Sequence, residues 1–179
     1  MKDEQTLITE LKQANTREKA FTEMVRQYQV QLYSHIRRMV LFHEDADDIL
    51  QNTFMKAWTA LDSFRGDSQL STWLYRIAIN ETLNYIEKQK KRKTLSENEV
   101  DVTNILQSDP YFDGNEVQFQ LQEAINKLPS KQRTVFNLKY FQEMKYEEMS
   151  NILGTSIGAL KASYHHAVSK ITDFFEKED

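Results

Sequence analysis

Apolar residues recur along this chain at spacings of three and four, the period of a helix that buries one face. In "AFTEMVRQYQVQLYSHIRRMVL" the side chains of Phe21, Val25, Tyr28, Leu32, Ile36, Met39 and Val40 share such a face. After "FHEDADD", the stretch "ILQNTFMKAWTAL" puts Ile49, Leu50, Phe54, Ala57, Trp58 and Leu61 on one stripe, with Asp45 placed as the N-cap. The period breaks at "DSFRGDSQLS", where a Gly sits among small polar residues. It resumes in "TWLYRIAINETLNYIEKQKKRK", in which Leu74, Ile77, Ala78, Leu83 and Ile86 can turn inward. These patterns predict a bundle of three or more helices over residues 1–93.

The next stretch, residues 94–117, has no sustained period and contains Pro110, Gly114 and several Asn, Asp and Ser residues, so it reads as a linker. Beyond it, "VQFQLQEAINKL" precedes "PSKQRTVFNLKYFQ", where Pro129 suits a helix start and Val135, Phe136, Leu138 and Tyr140 supply apolar contacts. A short helix, "YEEMSNIL", should stop at Gly154, and Ser156 should cap a longer helix that follows. In that last helix Ile157, Leu160, Tyr164, Ala167, Val168, Ile171 and Phe174 face inward, while Lys161, Ala162, His165, His166 and Ser169 face outward. Short helix, Gly turn and longer helix form the helix-turn-helix layout, whose second helix presents its outer face to the DNA major groove. A helical hairpin of this kind also serves as a plain packing unit, and pattern alone leaves both readings open. The predicted fold is all-α: two small helical domains, 1–93 and 118–179, joined by an acidic flexible linker.

Composition supports this class. Four glycines and two prolines in 179 residues leave few breaks for a sheet-and-turn architecture. With no cysteine, disulfides, thiol catalysis and Cys-ligated zinc are excluded. No apolar run reaches the roughly 18 residues of a membrane span, and "MKDEQTLITE" is too polar for a signal peptide, so a cytoplasmic protein without membrane insertion is expected. The net charge of −4 disguises an uneven distribution. Lys and Arg outnumber Asp and Glu by 15 to 13 up to residue 93, residues 94–117 hold six acids and no base, and the remainder holds eight of each. The basic residues cluster as Lys88, Lys90, Lys91, Arg92 and Lys93.

Candidate chemistry narrows quickly. Adjacent His165 and His166 diverge by about 100° on a helix and have no Cys, Asp or Glu one turn away, so they do not make a zinc site. Asp45, Asp47 and Asp48 lack the alternate-ligand loop and Gly of a calcium hand, and as helix-start acids they complement the macrodipole. "GTSIGALK" has neither the spacing nor the preceding strand of a phosphate loop, and no His-Glu-x-x-His or nucleophile set occurs. The chain reads as a non-enzyme without metal or cofactor. The exposed side of the second predicted helix, with Asp48, Gln51, Asn52 and Lys56, is either solvated or a docking face. Aromatic and basic residues mix in the segment holding Trp73, Tyr75, Arg76, Asn80, Asn84 and Tyr85, which suits single-stranded nucleic acid, where bases stack on rings and phosphates meet cations. Core burial of Trp73 and Tyr85 is the competing reading.

From about Phe21 to Ile171 the chain resembles the extracytoplasmic-function group of sigma-70-like bacterial RNA polymerase sigma factors. "ADDILQNTFMKAW" looks like that family's core-binding stretch, "STWLYRIAIN" its promoter-melting stretch, and "LPSKQRTVFNLKYFQEMKYEEMSNILGTSIGALK" its region 4. The resemblance implies a factor that joins core RNA polymerase and directs it to promoter DNA, both duplex and melted, with an anti-sigma factor as a common further partner. By residue match, Asp48, Gln51, Asn52 and Phe54 fall on the polymerase-binding helix. Phe64 to Leu70, including Arg65, matches the loop that captures a flipped minus-ten base. Trp73, Arg76 and Asn80 match the melting helix, which runs on into Lys88, Lys91 and Arg92. Thr155, Ser156 and Lys161 to His166, with Ala162 and His165 between, match the element that reads minus-thirty-five duplex. Where the family's helix commonly reads G-T-V-K-S-R-L, this chain has "GALKASY", with Ala159 and Ser163 at positions usually held by Thr and Arg. Fewer cations imply a promoter contact that relies more on helix N-terminal amides and DNA shape. A stand-alone helix-turn-helix regulator is the competing function.

Overall fold

The computed structural model describes residues 3–93 and 115–178; of the expected linker, residues 94–117, the stretch 94–114 lies outside them. The described residues form helices with no strand. They are α1 (Glu4–Lys12), α2 (Arg17–Met39), α3 (His43–Ala60), a 3₁₀ turn (Leu61–Ser63), α4 (Leu70–Lys93), α5 (Glu116–Lys127), α6 (Ser130–Tyr140), α7 (Tyr146–Leu153) and α8 (Ile157–Glu178).

The first of these was not expected as a helix. Asp3 caps α1 by accepting from the Thr6 amide at 3.0 Å, and Leu7, Ile8 and Leu11 bury one short stripe against α2. Along α2 the predicted face holds, with Leu32, Ile36, Met39 and Val40 buried. Helix α3 starts at His43, two residues before the expected cap. Phe42 occupies the N-cap in extended conformation with no side-chain bond. Asp45 therefore stands inside the first turn, where its charge meets the helix dipole. Likewise α5 starts inside the stretch read as linker, because Asn115 and Gln118 form a reciprocal capping box at 2.9 and 3.0 Å.

Helix α4 is buried on two sides. Leu70, Leu74, Ala78 and Thr82 are buried, and so are Tyr75 and Ile79 on an adjoining face, since α4 lies against α2 and α3 and also against α6 and α7. One apolar core consequently runs from Leu32, Ile36 and Leu74 through to Val135, Leu138, Met149 and Leu160 of the second half. A smaller core joins Ile125, Leu128, Phe136, Ala167 and Ile171.

Candidate functional site

Three exposed surfaces collect the predicted site residues. On α3, Asp48, Gln51 and Asn52 are exposed one turn apart, and Met55, 61% exposed, and Trp58, 40% exposed, extend their strip along the helix. Met55 escaped the sequence reading because an apolar residue off the core stripe carries no period of its own. The edge of Trp58 leans on Phe21 at 5.0 Å, which fixes the ring while leaving one side open. Phe54 does not reach this surface: it is buried and meets Phe21 edge-on at 6.4 Å.

The second surface surrounds the loop between the 3₁₀ turn and α4. A cavity of about 370 Å³ opens there, lined by Ser63, Phe64, Arg65, Asp67, Ser68, Trp73 and Arg76. Phe64 is buried and half-buried Trp73 tilts against it at 4.8 Å, so the two rings form one apolar wall. Arg65 and Arg76 are exposed and bring positive charge to the same opening. Aromatic wall and paired guanidinium groups are what an unstacked base and its phosphate require. Further along α4, Asn80, Asn84, Lys88, Lys91 and Arg92 are exposed, and Lys91 pairs with Glu87 at 2.9 Å. Tyr75 and Tyr85 are no platforms for bases. Tyr75 is 4% exposed, donates to Gln142 Oε1 at 3.0 Å and is pushed by burial to a pKa of about 12. Half-buried Tyr85 is also raised to about 12, by burial and by the neighbouring Asp45 carboxylate.

The third surface is α8. Gly154 closes α7 in the left-handed conformation at φ 62°, and Ser156 Oγ accepts from the Ala159 amide at 3.3 Å, so the turn is built as expected. Leu160, Ala167 and Ile171 are buried, whereas Ser156, Lys161, Ala162, His165 and His166 are exposed and Thr155 is half-buried beside them. The Lys161 ammonium lies 5.7 Å from the Tyr146 ring centroid, which steadies the cation at the edge of the face. The His165 and His166 rings are 6.1 Å apart and tilted by 53°. Among the described residues no group of three or more His, Cys, Asp or Glu could hold a metal ion.

The second surface meets the helix that precedes the third. Arg76 donates to the Asn151 carbonyl of α7 at 2.6 Å. At the far end of α2, the Arg38 carbonyl accepts from Gln122 and Asn137, and the Met39 carbonyl from Arg133 at 2.9 Å. Residues of the second half thus cap a helix of the first.

An all-helical chain with a built helix-turn-helix and an open cavity between an aromatic wall and two arginines has the features of a DNA-binding protein. Family models resolve which. Sigma-70 region 2 matches residues 24–92 and Sigma-70 region 4 matches residues 118–171. The RNA polymerase sigma factor YlaC of Bacillus subtilis is 33% identical over 81% of this chain and 86% of its own length. The ECF RNA polymerase sigma factor SigW of the same organism is 33% identical over 82% and 83%. Among solved structures, the sigma factor RpoE of Bartonella quintana in complex with the anti-sigma factor NepR is 25% identical, with TM-score 0.71, covering 88% of this chain and 98% of that one. This chain belongs to the extracytoplasmic-function group of the sigma-70 family of RNA polymerase sigma factors.

Proposed function

We propose that the chain binds core RNA polymerase through the exposed strip of α3, with Asp48, Gln51, Asn52, Met55 and Trp58 as contacts and Phe54 as their buried support. The loop from Phe64 to Leu70 takes a flipped minus-ten base against the Phe64 and Trp73 rings. Arg65, Arg76 and Asn80 then hold the separated strand, and Lys88, Lys91 and Arg92 follow its phosphates. The outward face of α8, from Thr155 and Ser156 through Lys161, Ala162, His165 and His166, enters the major groove at the minus-thirty-five element. Strand separation is driven by binding energy inside the polymerase complex, so the chain performs no covalent chemistry and needs no cofactor.

The observation that carries this reading is the coincidence, on one chain and in order, of the two sigma-70 region matches with an open arginine-lined cavity in the first and a built helix-turn-helix in the second. No helix among the described residues is long and apolar enough to cross a membrane, which fits action beside polymerase in the cytoplasm. An anti-sigma factor is a further partner class, supported by the complex of the Bartonella relative. The deciding experiment is run-off transcription from a genomic promoter pool with cognate core polymerase, with and without the chain. Discrete new start sites are expected. Duplex binding without polymerase, and no new starts with it, would instead identify a stand-alone regulator.

A further inference from the structure

The loop that lines the cavity is short of internal support. It runs from Phe64 to Gln69 without regular structure, it contains Gly66 at φ 83°, and its polar residues Arg65, Asp67 and Gln69 are exposed. A loop that must present a cavity of fixed shape needs anchors from elsewhere. Helix α1, which lies outside the residues matched to sigma-70 region 2, supplies them at two points, and the start of α2 adds a third. Just upstream of the loop, Arg17, the first residue of α2, holds Asp62 of the 3₁₀ turn at 2.7 Å. Within the loop, Lys12 Nζ donates to the Arg65 carbonyl at 3.0 Å. At its end, Glu4 Oε1 accepts from the Leu70 amide at 2.9 Å, satisfying a free N–H at the start of α4. The Glu4 carboxylate is itself steadied by the Tyr28 hydroxyl at 3.5 Å. Between these points the loop passes close to α1: a Cβ built on Gly66 would lie 3.5 Å from Lys12 Nζ and 3.9 Å from Ile8. The buried stripe of Leu7, Ile8 and Leu11 keeps the helix in place beneath it.

We propose that α1 is the scaffold of the minus-ten loop, with Glu4 and Lys12 as positioning residues that hold the backbone from Arg65 to Leu70 in the shape that accepts a flipped base and thereby set the base preference at that position. Neither side chain touches DNA in this account. Both act through the backbone they bond, on a part of the fold whose short apolar stripe carries no signature of nucleic-acid contact. The inference rests on the promoter-reading function proposed above, since a base preference exists only if the cavity captures a base.

The test uses the full chain with core polymerase on its promoter, the minus-ten element randomised, and reads open-complex yield for each base by permanganate footprinting and sequencing. In Glu4→Ala with Lys12→Ala, discrimination at the captured position should flatten by roughly tenfold or more, the scale of loss when a reacting or recognised group is displaced by about 1 Å. Affinity for core polymerase should stay unchanged. The pair Glu4→Gln with Lys12→Arg keeps an acceptor and a donor at the two sites and should restore the wild-type profile. A merely structural role for α1 would lower yield evenly for all bases and spare the preference, and that result overturns the proposal. Should the double alanine variant fail to fold, Lys12→Met decides: it keeps the aliphatic stem and removes only the donor to the Arg65 carbonyl, so a flattened profile supports the scaffold and a wild-type profile refutes it. Absence of any start site with the wild-type chain would sink the promoter-reading function itself, an outcome separate from an unchanged preference in the variants.

Discussion

His35 gives a prediction whose size follows from its surroundings. The ring is 1% exposed inside the core, neither nitrogen has a hydrogen-bond partner, and the Tyr75 ring packs edge-on at 5.8 Å. Burial, reinforced by the nearby Arg38 cation, lowers its pKa from 6.5 to about 4. The unfolded chain therefore takes up a proton that the folded chain refuses. The stability tied to the neutral ring is complete above pH 6.5 and is lost as pH falls from there toward 4. Integrating between those two values gives a loss of about 1 kcal/mol at pH 5.5 and about 2–3 kcal/mol at pH 4.5 relative to pH 7.5. Urea unfolding of the wild type and of His35→Met at pH 7.5 and 5.5 isolates the effect, because the carboxylates titrate alike in both. The wild type should lose about 1 kcal/mol more than the variant over that interval. At pH 7.5 the variant should be at least as stable. Removal of an orphaned N–H relieves about 1–3 kcal/mol, against about 0.5–1.5 kcal/mol for the lost ring contact. Parallel losses in the two proteins would refute the argument.

Three further outcomes follow for the elements proposed to face DNA. Gly154→Ala should lower stability by about 1–2 kcal/mol in thermal or urea unfolding, purely through the left-handed backbone, since nothing lies within 4 Å of the added Cβ; an unchanged midpoint would contradict it. Trp73→Ala should spare polymerase binding but weaken open-complex formation, on a scale of about 1–3 kcal/mol for the stacked base, and normal permanganate reactivity would count against base capture at that wall. His165→Ala with His166→Ala should reduce affinity for the minus-thirty-five duplex, and an unchanged Kd would remove both from the groove contact.

The helix-turn-helix was legible because each of its signals is local: Gly154 at a left-handed stop, Ser156 at a cap, and an apolar period that leaves Lys161, His165 and His166 outside. The main helices of the first half were legible for the same reason. What the sequence concealed depends on contacts far apart in the chain. Tyr75 reads as an exposed aromatic beside Arg76, yet Gln142 covers it from 67 positions away. Helix α1 has only three buried apolar residues, too few for a period to stand out, and its function lies in polar bonds to Arg65 and Leu70 more than fifty residues distant. Phe54 shows the converse limit. Its motif match concerns a binding helix, but the strip that faces outward is Asp48, Gln51, Asn52 and Met55, with Phe54 behind it.

The contact of α4 with α7 bears on how such a chain could read a promoter. Arg76 bonds the Asn151 carbonyl, and from Asn151 to the start of α8 at Ile157 the chain can extend at most roughly 20 Å. The minus-ten and minus-thirty-five elements lie about 25 base pairs apart, or about 85 Å of duplex at about 3.4 Å per pair. The two surfaces cannot serve both elements while Arg76 holds Asn151, so on the proposed function the two halves part when DNA is engaged. The contact between them is composed for that. Besides the bonds of Arg76 to Asn151 and of Tyr75 to Gln142, its hydrogen bonds fall on the Arg38 and Met39 carbonyls, which water can satisfy when exposed. It also leaves Asn137 Oδ1 and Arg133 Nε without partners and buries the Arg133 guanidinium deeply enough to lower its pKa to about 10. An orphaned buried group of this kind costs about 1–3 kcal/mol. The apolar contribution of Leu138, Met144 and Met149 to the shared core is thereby offset in part, as the separation required by the proposed function demands.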